Sequence, residues 1–313
     1  MGEPQVSVII PAYNHGQFLV EALNSVLSQT FEGFEVLVVD DGSADDTRQV
    51  VERYASRVRY LFKTHTGVSG TRNVGLQHTT GPYIAFLDAD DTWMPEKLSR
   101  QVAYLESHQE VGVVFTDYIT TTEAGEFLAR EPRFFPYHRH PFEAMVVWPY
   151  GSMQMAMVRR SCLDRVGGFD ESLTIAEDWD MWLRVAQHYG IAKIDRPLAT
   201  YRQTSASASR GPQRREAPAM YRRVLDKLFA DPERLPGWTL ADVARLRRRA
   251  YASLEITIGL MLQGPPWRHI FLAGSLCPSV LIQRRRAVAF LVLHGVARAC
   301  AGVWSHDIRG CVP

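Results

Sequence analysis

Asp88-Ala89-Asp90, followed at once by Asp91, closes the apolar run Tyr83-Ile84-Ala85-Phe86-Leu87. A short apolar run of this kind reads as a buried strand. Three carboxylates therefore stand where a strand leaves the core. Like charges this close repel, and an ionised carboxylate buried without a partner is costly. A divalent cation removes both difficulties. Oxygen-only ligands suit Mg2+ or Mn2+, which bind through one or two carboxylates and complete their shell with water and substrate phosphates. The tripeptide points to a metal that holds a diphosphate, or else to an acidic turn capping the helix expected from Pro95.

The surrounding pattern favours a ligand edge. Val6–Ile10, Phe34–Val39, Val58–Phe62, Tyr83–Leu87 and Val111–Tyr118 read as strands. They alternate with helical spacing over Gln17–Leu27, Thr47–Tyr54 (capped by Asp45 and Asp46), Val68–His78 and Leu98–Leu105. Repeated β-α-β units with apolar strands imply a mostly parallel sheet flanked by helices. Right-handed crossovers bring the strand C-termini to one edge, where open α/β sheets bind ligands. Polar clusters fall at three of those ends: Pro11-Ala12-Tyr13-Asn14, Asp40-Asp41-Gly42-Ser43 and Asp88–Asp91. Here Pro11 is expected to end the first strand.

Beyond residue 119 the pattern loosens. A loop with a hairpin is expected over 120–145, a strand over Met153–Val158, a short helix over Ser161–Val166 and an amphipathic helix over Asp178–His188. A Ser-rich linker precedes helices near 213–230, 239–262, 266–275 and 280–301. Domains are expected at 1–205, divided near residue 118, and at 206–313, a helical extension.

A net charge of +1 gives no reason to expect nucleic-acid binding, but it hides an asymmetry. Residues 1–200 carry 17 basic and 27 acidic side chains, and residues 201–313 carry 18 and 7. The basic part suits an anionic membrane surface or an acidic acceptor. The mostly apolar segment 287–303, preceded by Arg284-Arg285-Arg286, reads as a packed helical hairpin, as an amphipathic surface docked on anionic lipid, or as a span that is short of the roughly 20 residues required. The four cysteines form no C-x-x-C pair, and Met1-Gly2-Glu3-Pro4 lacks a leader's basic start. The expectation is a cytoplasmic chain, peripheral at the inner membrane face if the basic part docks.

Five segments occur in order: Val6-Ser-Val-Ile-Ile-Pro-Ala-Tyr-Asn14, Val39-Asp-Asp-Gly-Ser43, Gly67-Val-Ser-Gly-Thr-Arg-Asn-Val-Gly75, Phe86-Leu-Asp-Ala-Asp-Asp91 and Ala176-Glu-Asp-Trp179. Together, over residues 5–203, they resemble glycosyltransferase family 2, the inverting nucleotide-sugar enzymes of the GT-A fold. The resemblance implies a metal-dependent transfer from a nucleotide-sugar donor, a UDP-sugar, to a hydroxyl of a glycan or lipid-linked acceptor. It implies nucleotide contacts from Pro11, Ala12, Tyr13, Asp41, Arg72, Asp88 and Ala89, with the Tyr13 ring against the base and Asp41 accepting from uracil N3. Asp90, with Asp88, would hold Mn2+ or Mg2+. Asp178 would be the base, oriented by Glu177. Trp179 and Arg202 would touch acceptor or phosphate.

Each residue also has a plainer reading. Asp41 suits an Asp-Gly-Ser turn, Tyr13 suits packing, Gly75 suits helix packing, Asp91 and Asp178 suit helix caps, and Trp182 suits core. Arg72 opens a helix, where a cation is unfavourable, which favours a ligand role. Thr204 stands where the family often has a His after Tyr-Arg, and is a poor metal ligand. His138 and His140 read as surface residues or acceptor contacts. The rival functions are a nucleotidyltransferase, which would open on a basic Gly-rich loop absent from Val6–Asn14, and a nucleotide-sugar-binding module without catalysis.

Overall fold

A computed structural model describes residues 3–131, 141–147, 149, 152–204, 215–230, 235, 238–262, 266–283 and 288. The expectations for His138, His140, Arg284–Arg286, most of 287–303 and the Ser-rich stretch after Gln203 and Thr204 lie outside these residues. The chain divides into two compact units, one of Met1–Met145 with Pro149–Gln213 and one of Val146–Trp148 with Arg214–Pro313.

The first unit is one eight-stranded sheet with helices. Its elements run β1 (Val6–Ala12), α1 (Gly16–Leu27), β2 (Phe34–Asp40), α2 (Thr47–Glu52), β3 (Arg59–Phe62), α3 (Val68–Gln77), β4 (Tyr83–Phe86), α4 (Lys97–Ser107), β5 (Val111–Thr121) and β6 (Phe127–Glu131). Then follow α5 (Pro141–Val147, with its last two residues assigned to the second unit), a 3-10 turn at Met153–Met155, β7 (Met157–Arg159), α6 (Arg160–Val166), α7 (Glu177–Ala186) and β8 (Gly190–Arg202). The strand order is β3-β2-β1-β4-β7-β5-β6, and β8 also pairs with β5. β1 to β4 are parallel, β7 runs antiparallel to β4 and β5, and β5 and β6 form the expected hairpin. β1 and β4 are wholly buried, as strands covered on both faces must be.

Three local expectations change. Pro11 does not end β1, which stays paired with β2 to Ala12↔Asp40. The Ile9 carbonyl accepts from Leu87 on the β4 side, and two residues on Pro11 faces the same way, past the last β4 pair at Ile9↔Phe86. The N–H that proline lacks therefore has no ladder partner to lose. The Met153–Val158 run is a strand only from Met157, because Met153–Met155 forms a 3-10 turn with the same apolar composition. At the start of α2, Asp45 rather than Asp46 bonds the free amides, accepting from Thr47 N at 3.0 Å and from Gly16 N at 2.9 Å, which ties α2 to α1.

The second unit contains α8 (Ala217–Phe229), α9 (Leu240–Leu262), α10 (Pro266–Leu276) and α11 (Pro278–Gln283). Proline opens α10 and α11 and lies in the first turn of α8, where its missing N–H is not needed. Ala252, Ile256, Ala273 and Val280 form a small core joining α9, α10 and α11. Among the described residues no helix is long and apolar enough to cross a membrane.

Candidate active site

The site lies where β1 sits between β2 and β4. The chain winds outward through β2 and β3 and then returns to β4, so the C-terminal edge of β1 and β4 is a topological switch point. Tyr13, Asp41 and the Asp88–Asp91 turn all stand at this edge.

On the β2 side, Asp41 is buried and fully engaged. Its Oδ1 accepts from Lys63 Nζ and, at 2.9 Å, from Thr66 N. Its Oδ2 accepts at 2.9 Å from Gly67 N and lies 2.8 Å from His65 Nδ1. Burial alone would raise the Asp41 pKa, but these donors outweigh it and hold it below the usual carboxylate range. Gly67 takes a left-handed φ of 89° as it turns its N–H toward Asp41, a backbone that favours glycine. The Tyr13 ring is 44% exposed, and its centroid is 4.3 Å from that of His65. Pro11 and Ala12 are buried backbone supports here, with the Ala12 carbonyl accepting from Asp41 N at 2.8 Å.

Helix α3 explains the Gly67–Gly75 segment. Ser69, Arg72 and Asn73 lie on one helical face, with i, i+3 and i+4 spacing, and all three reach the stretch that leads into α7. Ser69 Oγ donates to the Leu173 carbonyl. Asn73 brackets Phe169, donating to its carbonyl at 3.0 Å and accepting from its N–H at 2.7 Å. Arg72 is 3% exposed. Its Nη1 donates to Glu177 Oε1 and its Nη2 to Asp88 Oδ1, both at 2.7 Å. Burial disfavours this charge, but the two carboxylates outweigh burial and raise the guanidinium pKa. Arg72 does not open the helix as expected but is the fifth residue of α3, so the helix dipole is not what sets its charge and the two carboxylates are its match. Gly75 allows α3 to pack on β1, since a Cβ there would stand 2.4 Å from an Ile9 methyl.

Arg72 brings the Asp88 turn beside the Glu177-Asp178 pair. Asp178 Oδ1 accepts from Trp179 N at 2.7 Å. Burial, then the charge of Glu177, push the Asp178 pKa up to about 7, against the opposing pull of Arg72 and the Trp179 amide. Ala176, just before the pair, holds a left-handed φ of 66°, which costs a non-glycine residue about 1 kcal/mol or more. Ala176→Gly is expected to raise the free energy of unfolding in urea by up to about 1 kcal/mol. A loss instead would show that no strain is stored there.

The Asp88–Asp91 turn separates its carboxylates. Asp88 is held by Arg72. Asp91 is buried and accepts from Arg202 N at 2.7 Å, so it anchors β8 and is not the α4 cap, a place taken by Glu96. Asp90 has no hydrogen-bonded side-chain partner among the described residues. Burial and the neighbouring Asp88 charge raise its pKa, with His15 and Arg202 opposing. An unmatched carboxylate beside a second one fits a divalent cation. Among the described residues no three acidic, His or Cys groups converge as a closed cage, but Mg2+ and Mn2+ bound largely through phosphates need none. Ala89 is buried within the turn.

Two expected ligand residues are used internally. Arg202 donates to the carbonyls of Asp90 and Glu123 and, at 2.5 Å, to Glu21 Oε2, and lies over the Phe18 ring. It latches the acidic turn and has little left for a phosphate. Trp179 is buried, with its indole N–H on the Met145 carbonyl at 2.8 Å. It is therefore packed in the core. Trp182 is core as expected, edge-on to Phe115, and Thr204 is buried. Lys63 and His65 escaped sequence reasoning, because they follow β3 in a loop without a recognisable pattern.

Residues 7–167, about half of the chain, match the model of glycosyl transferase family 2. The chain belongs to this family. A Rickettsia felis protein named an uncharacterized glycosyltransferase is 31% identical over 64% of the chain, which spans only 33% of that relative's length. The S. aureus TarS 1-349 structure in complex with UDP-GlcNAc superposes with a TM-score of 0.65 at 20% identity, covering 95% of this chain and 92% of that one. The mannosyltransferase PcManGT from Pyrobaculum calidifontis, in complex with GDP-Man and Mn2+, gives 0.64 at 22% identity, covering 96% and 81%. Such neighbours place the family 2 chain in the GT-A fold.

Proposed function

We propose that this chain is a metal-dependent inverting glycosyltransferase that moves a sugar from a nucleotide-sugar to a hydroxyl of a glycan or lipid-linked acceptor. The observation that carries the reading is Arg72, which joins the Asp88 turn to Glu177-Asp178. It sets carboxylates suited to a metal-diphosphate next to a carboxylate suited to a base. Residues 1–118 would bind the donor, residues 119–205 the acceptor, and residues 206–313 would be an appended helical domain.

Asp90, with Asp88, would hold Mn2+ or Mg2+, which when bound neutralises charge gathering on the leaving diphosphate. Asp178 takes the proton of the acceptor hydroxyl as its oxygen attacks the anomeric carbon. The bond from that carbon to the diphosphate oxygen breaks on the opposite face, and the nucleoside diphosphate leaves. Glu177, fixed by Arg72, keeps the base oriented and keeps its pKa high enough to accept a proton at neutral pH. Tyr13, with His65 beside it, offers an aromatic face to the base. A uracil N3–H would reach Asp41 only by displacing Lys63 or His65, the side chains among its four donors.

Metal removal tests the reading. Titration with UDP in the presence of Mn2+ is expected to show binding that excess EDTA weakens at least tenfold, and unchanged affinity would contradict a metal-held diphosphate. A second expectation concerns pH. Asp178 works deprotonated, so kcat/KM should rise through an acid limb near the Asp178 pKa of about 7 and flatten above it. A profile flat across that region would remove Asp178 from the base role.

A further inference from the structure

The second unit carries a groove of about 1060 Å3 that the transfer reaction leaves unused. Three helices shape it. On α9, Leu240, Ala244, Arg247, Arg248, Tyr251 and Glu255 recur at helical spacing and form one face. Phe229 and Arg222 of α8 and Leu272, Ser275 and Leu276 of α10 complete the walls. The volume lies just above the roughly 300–1,000 Å3 of small-molecule sites.

The lining sorts its charges. Glu255 is matched by Arg222 and lies 2.9 Å from His269 Nδ1. Asp226 accepts from the Tyr251 hydroxyl. The two acids at the groove are therefore already satisfied. Arg247 stands over the Tyr251 ring, and Arg248 has no ion pair among the described residues. Both are exposed. Across α8 and α9 there are seven basic side chains and three acidic ones. Large apolar side chains of the same lining lie open, Leu240 at 74% exposed and Leu276 at 38%. Exposed apolar groups clustered at a cavity mark an interaction surface. Basic and apolar groups together are the pattern of a surface that docks on anionic lipid without spanning the bilayer.

We propose that this groove captures an anionic lipid of a membrane surface, with an acyl chain among Phe229, Leu272, Leu276 and Tyr251 and the headgroup phosphate at Arg247 and Arg248. This holds whether or not the first unit transfers sugar, because its test reads binding and not turnover. A free anion would use the arginines alone and leave the apolar walls empty. An acidic peptide would need no acyl-sized depth.

The test is flotation of the full 313-residue chain with vesicles of phosphatidylcholine alone or with added phosphatidylglycerol. Partitioning is expected only with phosphatidylglycerol, and Arg247→Gln combined with Arg248→Gln should weaken it roughly thirty-fold, at about tenfold or less per arginine. Ala244→Trp fills the groove without changing charge, and should abolish calorimetric binding of a soluble short-chain phosphatidylglycerol. Melting curves of both variants establish that they fold. Equal binding to neutral vesicles, full competition by inorganic phosphate, or short-chain lipid binding unaltered by Ala244→Trp would each overturn capture in the groove.

Discussion

Asp178→Asn is expected to lower turnover by about 10^2- to 10^4-fold, the usual worth of a positioned base, while leaving nucleotide affinity within about twofold of wild type. The amide keeps the oxygen that accepts from Trp179 N, so the start of α7 keeps its shape. Stability should not fall. The folded pKa of Asp178 is raised to about 7, so between its unfolded value near 3.8 and that point the folded state holds the extra proton. Above it, the ionised group opposes folding in full. Removing the charge should leave the melting temperature at pH 8 equal to or above that of wild type. Rates measured beside UDP titration decide the matter: unchanged turnover removes the base assignment, and lost UDP binding makes Asp178 a donor ligand.

Arg72→Met should have the largest effect on stability. It removes the shared cation from Glu177 and Asp88 and leaves both carboxylates facing Asp178. Breaking a buried pair from one side costs about 3–5 kcal/mol. The Asp88 side chain is a third exposed, so the lower end, about 3 kcal/mol, is expected. Arg72→Lys should recover little, because a single ammonium lacks the fork that serves two carboxylates. Adding Glu177→Gln to Arg72→Met should recover part of the loss. Urea denaturation reads all three. A change below about 0.5 kcal/mol for Arg72→Met would mean that the bridge does not hold the two segments together.

Much of the first unit was legible because its strands are short apolar runs that stop at Asp, Gly or Asn. Those stops put Asp41, Asp88 and Asp90 on one edge. What the runs could not convey was partnership across distance. The helix-dipole argument misplaced Arg72, which is the fifth residue of α3 and past its first turn; its partners lie 16 and 105 residues away and are protein carboxylates. Asp41 reads as a free acceptor until the loop after β3 delivers four donors to it. Arg202 reads as a phosphate ligand until Glu21, 181 residues earlier, meets it. Pro11 misleads because a strand's two edges end at different places. The groove in the second unit needs faces from three helices at once, and no single stretch announces it.

Sugar transfer at the β1–β4 edge would need both a metal-held diphosphate and a carboxylate base. Its most direct test is nucleoside diphosphate release, followed by mass spectrometry, from a panel of UDP- and GDP-sugars with Mn2+ and glycan or lipid-linked acceptors. Release coupled to acceptor glycosylation is expected from the wild-type chain, lost with EDTA and lost in Asp178→Asn. Binding of a nucleotide-sugar with no release from any pair, or release that persists in Asp178→Asn, would contradict it.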